Sequence, residues 1–236
     1  GFAFVEVRPR VNRDRAARAI NITFDISEGP RGFVERIEIV GNVRTSDKVI
    51  RREIQVAEGD AFNAAKIRRS RKRIRDLDYF SKVDIENIPG SSEDKAIVKV
   101  EVEEKSTGSL SIGVGFATDS GPLIDLGVKE KNLLGRGQRI SLNTSLAAEK
   151  TTFNLAFTEP YFLDREVSAG FDVFHTATDL QDTRSLDSRR TGVGLRLGYP
   201  LSEDLRQNLQ YTFEFAEVKN VASNASVLIK AQERQR

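Results

Sequence analysis

Residues able to perform catalysis are scarce in this sequence. It has one histidine, His175, and no cysteine, so no thiolate is available for nucleophilic attack or metal binding. No nucleophile is spaced with His175 as general-base catalysis would require. Acidic residues mostly alternate along predicted strands and do not fall at metal-ligand spacings. We therefore predict that the protein is not an enzyme and has no catalytic residue, cofactor or metal site.

The glycine-rich run GVGFATDSG (113–121) could be taken for a phosphate-binding loop. Its glycines, however, alternate with apolar residues inside a predicted strand, and no helix follows them. Four large apolar side chains share one face of this strand, opposite Ser and Gly: Leu110, Ile112, Val114 and Phe116. The run therefore predicts an amphipathic strand whose apolar face needs a partner.

The first half of the chain predicts a small module of strands and helices. Residues 33–42 alternate as a strand, and Ser46 and Asn63 are candidate N-caps of two helices. Two more strands, joined by the turn PGSSED, complete the order β-α-α-β-β over residues 31–105.

An internal repeat supports this module. Residues 2–7 resemble residues 80–85, and residues 20–28 resemble residues 96–104. The chain is therefore predicted to open, at residues 1–28, on the final hairpin of a preceding copy. Tandem modules of this kind are usually binding scaffolds.

The second half, residues 108–218, shows only strand signals. Each predicted strand is apolar on one face and polar on the other, as in transmembrane barrels built from strands of about 9–11 residues. A soluble antiparallel sandwich alternates in the same way, so the pattern alone leaves both architectures open. Small polar residues on the polar face favour the barrel. Seven strands are predicted, at 108–118, 123–131, 138–147, 151–159, 166–177, 189–199 and 206–218.

Composition sets further bounds. No run approaches 18 apolar residues, so no transmembrane helix is predicted. The sequence lacks methionine and opens on no secretory signal, and we interpret it as an internal fragment. A net charge of +2 gives no strong attraction to nucleic acid.

Several stretches of the chain resemble the Omp85 superfamily. The most specific are GNVRTSDKVIRRE (41–53) and the junction EKSTGSLSIGVG (104–115). The others are EGDAFN, LDYFSKVDIENIPG, NLLGRGQRISL and EPYF. The resemblance implies an α+β POTRA module followed by antiparallel transmembrane strands of a barrel.

The resemblance also implies a domain organisation. Residues 1–28 would end the penultimate POTRA domain, 31–105 would form the membrane-proximal one, and 106–236 would begin a barrel of sixteen strands in the family. About seven strands are present, and residues 219–236 fit no strand. An incomplete barrel leaves two open edges in lipid, where each unpaired backbone group costs several kcal/mol.

Two sets of site residues follow from the resemblance. Arg51, Arg52, Glu53 and Glu58 would dock a partner lipoprotein, although ordinary surface charge on a helix explains them equally well. The first barrel strand would form a weak seam to which a client strand adds, through Leu110, Ile112, Gly113, Val114, Gly115 and Phe116. Glycine weakens strand packing there, but barrel curvature could equally require it. An outer POTRA edge, at residues 34–40 or 82–88, could also accept a client strand.

The basic run KIRRSRKRIR (66–75) holds seven Lys or Arg residues in ten positions. One interpretation is a solvated helix face. The other is contact with anionic lipid head groups, because the resemblance places this module beside the membrane. Nucleic acid is disfavoured because no aromatic platform accompanies the charge. The predicted lipid contacts are Lys66, Arg68, Arg69, Lys72 and Arg73.

The resemblance implies assembly and insertion of β-barrel proteins into the bacterial outer membrane, with the POTRA domains in the periplasm. The expected partners are unfolded outer-membrane protein clients, BamD-like lipoproteins and outer-membrane lipids, with no cofactor and no nucleic acid. An Omp85-type polypeptide exporter, as in two-partner secretion, is the alternative. A soluble sheet-rich adhesin or lectin is a third possibility.

Overall fold

The computed structural model describes residues 5–14, 19–28, 32–118, 120–179, 187–202 and 205–219. The chain divides into two compact units, Gly1–Lys105 and Ser106–Arg236. The interpretations of residues 2–4 and 220–236 lie outside the described residues.

The first unit opens on a β-hairpin. Strand β1 (Val5–Asp14) pairs antiparallel with β2 (Ala19–Glu28) in continuous register from Val5↔Glu28 to Asp14↔Ala19. Apolar side chains of this hairpin are exposed, among them Phe24.

The rest of the first unit confirms the predicted order β-α-α-β-β. Its elements are β3 (Phe33–Val40), α1 (Asp47–Arg51), α2 (Ala64–Asp76), β4 (Phe80–Pro89) and β5 (Lys95–Glu104). The strands form one sheet in the order β3-β5-β4, in which β3 is parallel to β5 and β4 is antiparallel to β5.

The two helices begin at the predicted caps, but only one cap bonds as expected. Asn63 accepts hydrogen bonds from the N–H groups of Ala65 and Lys66, at 2.9 and 3.1 Å, which satisfies two otherwise unpaired donors. Ser46 occupies the N-cap position of α1 without a side-chain bond, and α1 ends at Arg51 after five residues, before the apolar Ile54.

The buried core of the described residues lies inside this β-α-α-β-β module. Strand β5 is its centre, with Val98 and Val100 fully buried, and Ile67 and Ile74 of α2 pack onto the sheet. Their i, i+7 spacing places them on one helix face. Every member of the cluster falls between Val34 and Val102, so the module contains a complete core of its own.

The second unit is a single antiparallel sheet of seven strands in the order β12-β11-β10-β9-β8-β7-β6. Every strand pairs with its sequence neighbours, so the sheet is a meander, and its edge strands among the described residues are β6 and β12. The seven predicted strands are confirmed to within about two residues. They are β6 (Gly108–Ala117), β7 (Gly121–Leu133), β8 (Gln138–Ala147), β9 (Lys150–Glu159), β10 (Ser168–Asp179), β11 (Asp187–Pro200) and β12 (Arg206–Lys219).

Register aligns the apolar residues of all seven strands on one face. A single cross-strand row contains Leu110, Val128, Leu142, Leu155, Val173, Val193 and Phe213. Because side chains alternate along each strand, the neighbouring row falls on the opposite face, and it includes Ser111, Gly127, Asn143 and Asn154. The sheet is thus amphipathic across its full width.

Neither α-helix in the described segments combines the length and the apolar character needed to cross a membrane.

Candidate functional site

Edge strand β6 presents the most exposed apolar side chains of the sheet. Leu110, Ile112, Val114 and Phe116 are 71%, 69%, 81% and 76% exposed. Among the described strands, β6 pairs only with β7. The strand therefore offers apolar side chains together with a row of unpaired N–H and C=O groups, which is the surface another strand would add to.

Two of the three glycines of β6, Gly113 and Gly115, are not required by packing against β7. A Cβ added at Gly113 would approach Asp125 no closer than 3.5 Å, and one at Gly115 would approach Leu123 no closer than 3.6 Å. Both are ordinary van der Waals distances. By contrast, a Cβ at Gly192 of β11 would overlap the ring of Phe174, which lies across that glycine on the polar face.

The polar face is organised around Arg196 of β11. Its Nε donates to Asp172 Oδ2 at 2.6 Å, and its Nη2 donates to Thr158 Oγ1 at 3.1 Å. These bonds connect three adjacent strands. The geometry is that of a structural ion pair within the sheet, since each charged group has a partner on the neighbouring strand.

The single histidine lies on the apolar face and not in a catalytic arrangement. His175 Nδ1 lies 2.7 Å from the hydroxyl of Thr191 on the adjacent strand. Within the described residues, no three His, Asp or Glu side chains are grouped so as to hold a metal ion.

The residues predicted to dock a lipoprotein separate into two pairs. Arg51 and Glu58 are exposed and approach each other at 3.4 Å. Glu53 is only 7% exposed and accepts a hydrogen bond from Arg73 Nε at 3.0 Å, and Arg52 is also largely buried. A carboxylate held in this way contributes to the module's interior, so the docking prediction now rests on Arg51 and Glu58.

The basic helix α2 is partly neutralised from within the module. Lys72 pairs with Asp76 at 2.7 Å, and Arg73 turns toward Glu53. Four cations of the helix make no ion pair in the described structure, namely Lys66, Arg68, Arg69 and Arg75. Arg75 lies within the basic run but was not among the predicted contacts. Its spacing of seven residues from Arg68 places it on the same helix face.

The run that carries the family resemblance, residues 41–53, is structural. Gly41 adopts φ +89°, and a Cβ there would overlap the carbonyl oxygen of Val102. Asn42 Nδ2 then donates to the carbonyl of Thr45 at 2.9 Å. Only glycine meets both the positive φ and the close approach, so this turn fixes the start of α1.

Glu104, at the end of β5, anchors the same turn. Its carboxylate accepts the N–H of Thr45 at 2.6 Å and the N–H of Arg44 at 3.0 Å. Partial burial is the largest single influence and opposes ionisation, but the bonds from Thr45 and Arg44 together hold the pKa of Glu104 below its ordinary value. The spacing of Gly41, Asn42 and Glu104 is thus explained by the folding of this turn.

Two further motifs form the short turns of the sheet. Asn132 is buried near the end of β7, where its Oδ1 accepts the N–H of Gly137 from the turn before β8 at 2.7 Å. Glu159 ends β9, where it accepts the N–H of Tyr161 at 3.0 Å and a bond from Gln138 at 2.9 Å. Both turns lie at the same end of the meander because alternate connections share an end.

Both outer edges of the module's sheet are partly closed. The predicted free edge at 34–40 is wrong at two positions, because Val34 pairs with the backbone of Gly59 and Asp60 and Ile37 is bonded by side chains. The predicted edge at 82–88 is likewise closed at Ile85, whose carbonyl accepts a bond from Arg71.

Comparison with known proteins agrees with this architecture. The sequence model of the Omp85 superfamily domain matches residues 132–236. The POTRA model, described as surface antigen variable number repeat, matches residues 33–105. Together these matches cover most of both units.

Similar proteins align along nearly the whole chain. Outer membrane protein assembly factor BamA of Nitratidesulfovibrio vulgaris is 31% identical over 99% of this chain and 29% of its own length. The protein of the same name from Neisseria meningitidis serogroup B is 32% identical over 92% of this chain and 28% of its own length. The chain thus spans under a third of either relative.

A solved structure shares the fold. The crystal structure of BamA from Haemophilus ducreyi lacking POTRA domains 1–3 superposes with a TM-score of 0.79 at 26% identity, over 94% of this chain and 42% of that one. With a POTRA module, an amphipathic antiparallel sheet and relatives that align along nearly the whole of this chain, this protein belongs to the Omp85 superfamily.

Proposed function

We propose that this protein assembles β-barrel proteins and inserts them into the bacterial outer membrane. The observation that carries the proposal is edge strand β6, which combines four exposed apolar residues with unpaired backbone groups. A client strand that adds to this edge satisfies its own N–H and C=O groups before it meets lipid, which lowers the cost of insertion. Assembly by pairing requires no covalent step. The name shared by the two bacterial relatives agrees with this activity.

The proposed location follows from the same sheet. Its apolar face would contact the hydrocarbon of the outer membrane, and its polar face would line the barrel interior. Residues 106–236 would be the beginning of that barrel, 31–105 the membrane-proximal POTRA domain in the periplasm, and 1–28 the end of the domain before it. An added strand would extend the apolar face at β6.

The glycines of β6 support this role. Because Gly113 and Gly115 leave room beside β7, packing within the sheet does not account for them. A glycine-containing edge allows another backbone to approach and holds it weakly, as transient pairing with successive clients requires.

Two surfaces of the module are proposed to position the protein. Arg51 and Glu58, exposed and adjacent, would dock a BamD-like lipoprotein of the assembly complex. The proposed contacts with anionic lipid head groups are Lys66, Arg68, Arg69 and Arg75. Each cation near such a surface contributes about 1 kcal/mol. Lys72 and Arg73 are weaker candidates because each already pairs with a carboxylate.

Site-specific crosslinking in cells tests the proposal. The sequence has no cysteine, so Ser111→Cys places a unique thiol on β6, and a client with a cysteine in its C-terminal strand supplies the partner. We expect a disulfide with Ser111→Cys and none with the matched control Asn154→Cys, which lies in the interior strand β9. Crosslinking of equal extent at both positions would instead indicate passage through the lumen, as expected of an exporter, and would contradict the proposal.

A further inference from the structure

The outer edge of β3 is closed by two different devices. Near its beginning, main-chain bonds hold the edge: the N–H of Val34 donates to Asp60 O at 2.9 Å, and the N–H of Gly59 donates to Val34 O at 2.7 Å. This part of the edge is occupied by the polypeptide backbone itself and is not available to a second chain.

The middle of the edge is closed by one ion pair. The N–H of Ile37 donates to Glu58 Oε1 at 3.2 Å, and Arg51 Nη2 donates to the carbonyl of Ile37 at 3.3 Å. Arg51 Nη1 lies 3.4 Å from Glu58 Oε1. Two side chains thus satisfy both main-chain groups that an added strand would otherwise use.

Such a closure is easily displaced. Arg51 and Glu58 are 45% and 52% exposed, and an exposed ion pair contributes little to stability because water and salt screen it. The corresponding closure of β4 is tighter. There, Arg71 donates to the carbonyl of Ile85 at 2.7 Å and lies 3.1 Å from Asp84, whose carboxylate accepts the N–H of Ile85 at 2.8 Å.

We propose that the pair Arg51–Glu58 is a latch on the β3 edge, and that the partner of the opened edge is an extended polypeptide strand. In an extended strand, alternate residues direct their main-chain groups to the same side, so Ile39 follows Ile37 along this edge. With the latch closed, a second strand can bond only at Ile39. With the latch open, it can bond at both residues.

The latch couples the binding of a lipoprotein to the addition of a client strand. This consequence rests on the proposed function, which identifies the client and the docking partner. A lipoprotein that binds Arg51 or Glu58 removes that side chain from Ile37 and frees the edge. Strand addition in turn displaces both side chains and leaves them available to the lipoprotein. Linkage requires that each event favour the other to the same extent.

The test measures strand addition directly. The 236-residue chain in detergent micelles carries Glu38→Cys on β3, the only thiol present. The probe is a fluorescein-labelled peptide with the sequence of residues 206–215, RQNLQYTFEF, in which cysteine replaces the central Gln210. Disulfide yield reports addition at β3, and fluorescence anisotropy gives the dissociation constant.

We expect the double substitution Arg51→Ala/Glu58→Ala to tighten binding about tenfold, within the usual range of coupling between two sites, and to raise disulfide yield. Glu58→Gln retains an oxygen acceptor for Ile37 and should resemble the parent chain. The matched control is Lys72→Ala/Asp76→Ala, which removes an exposed ion pair on α2 that bonds no strand edge, and it should change nothing.

Two results would overturn the latch. Equal affinity and yield in all variants would show that the pair does not restrict the edge. Absence of a disulfide in every variant would show that β3 accepts no strand. Neither result bears on crosslinking of clients to β6, so failure of the latch is distinguishable from failure of the proposed function. Helix ellipticity of each variant confirms that the module is folded.

Discussion

Glu53 could stabilise the module or dock a lipoprotein, and the substitution Glu53→Gln distinguishes these two roles. Its side chain is 7% exposed and accepts a hydrogen bond from Arg73 at 3.0 Å. Glu53→Gln keeps the volume and one acceptor oxygen but removes the charge. We therefore expect the module to lose stability, because the neutral side chain no longer forms the ion pair with Arg73.

The structure sets the size of this loss. Hydrogen bonds to charged groups contribute about 1.5–3 kcal/mol, and disruption of a buried ion pair costs about 3–5 kcal/mol. Arg73 is 35% exposed, so water can solvate it once its partner is neutral, and the glutamine still accepts a bond. We therefore expect the free energy of unfolding to fall by about 2 kcal/mol, near the lower end of the range for a hydrogen bond to a charged group.

Urea unfolding followed by helix ellipticity measures this change, because both α-helices of the described residues belong to the module. With a slope of about 1–3 kcal/mol per molar urea, the midpoint should fall by about 0.7–2 M. Glu58→Gln makes the same chemical change at an exposed pair, and it should alter stability by less than about 1 kcal/mol. An unchanged midpoint for Glu53→Gln, together with weaker lipoprotein binding, would refute the structural role.

Three further predictions concern the same module and use the same unfolding measurement. Gly41→Ala should destabilise it by about 2–4 kcal/mol, because a left-handed residue costs about 1–2 kcal/mol and the new methyl group overlaps the Val102 carbonyl; an unchanged midpoint would contradict the strain. Ser70→Ala should cost about 1–3 kcal/mol, because it leaves the partly buried N–H of Gln55, now bonded to Ser70 Oγ at 2.8 Å, without an acceptor; Ser70→Thr, which keeps the hydroxyl, is the comparison. Glu104 has a lowered pKa, so its contribution is fully present above its ordinary pKa of 4.5 and is lost as pH falls through the lower folded value; Glu104→Gln should remove that part of the acid sensitivity, and an identical pH profile would count against it.

The architecture of both units could be predicted from sequence because its signals are local. Alternation with a period of two marks all seven strands of the sheet, and a period of 3.6 marks the buried face of α2. Register follows from the same pattern, since a shift of one residue would turn every apolar side chain to the polar face. The edge position of β6 follows from its being the first strand of a meander.

Side-chain partners could not be predicted in this way. Arg73 belongs to a basic run, and its sequence neighbours suggest a solvated surface, yet it meets Glu53 twenty residues away. The helix α1 ends three residues before the apolar Ile54, and the N–H groups of Glu53 and Ile54 bond the carbonyls of Ile50 and Arg51 three residues back, as in turns. Phe174 lies on the polar face although it is apolar, since Gly192 leaves space beneath its ring.

What the sequence determined by itself, then, is the order of elements, the two-faced sheet and the family to which the chain belongs. Only the tertiary structure decided which charges of the module pair with one another and where side chains and backbone close the outer edges of its sheet. Hydrophobic periodicity is a local property of the sequence and does not depend on how side chains pack. An ion pair or a closed edge, by contrast, depends on distances of a few ångströms between segments that are far apart in sequence. Ile37 and Glu58 are 21 residues apart in sequence and 3.2 Å apart at their bonded atoms.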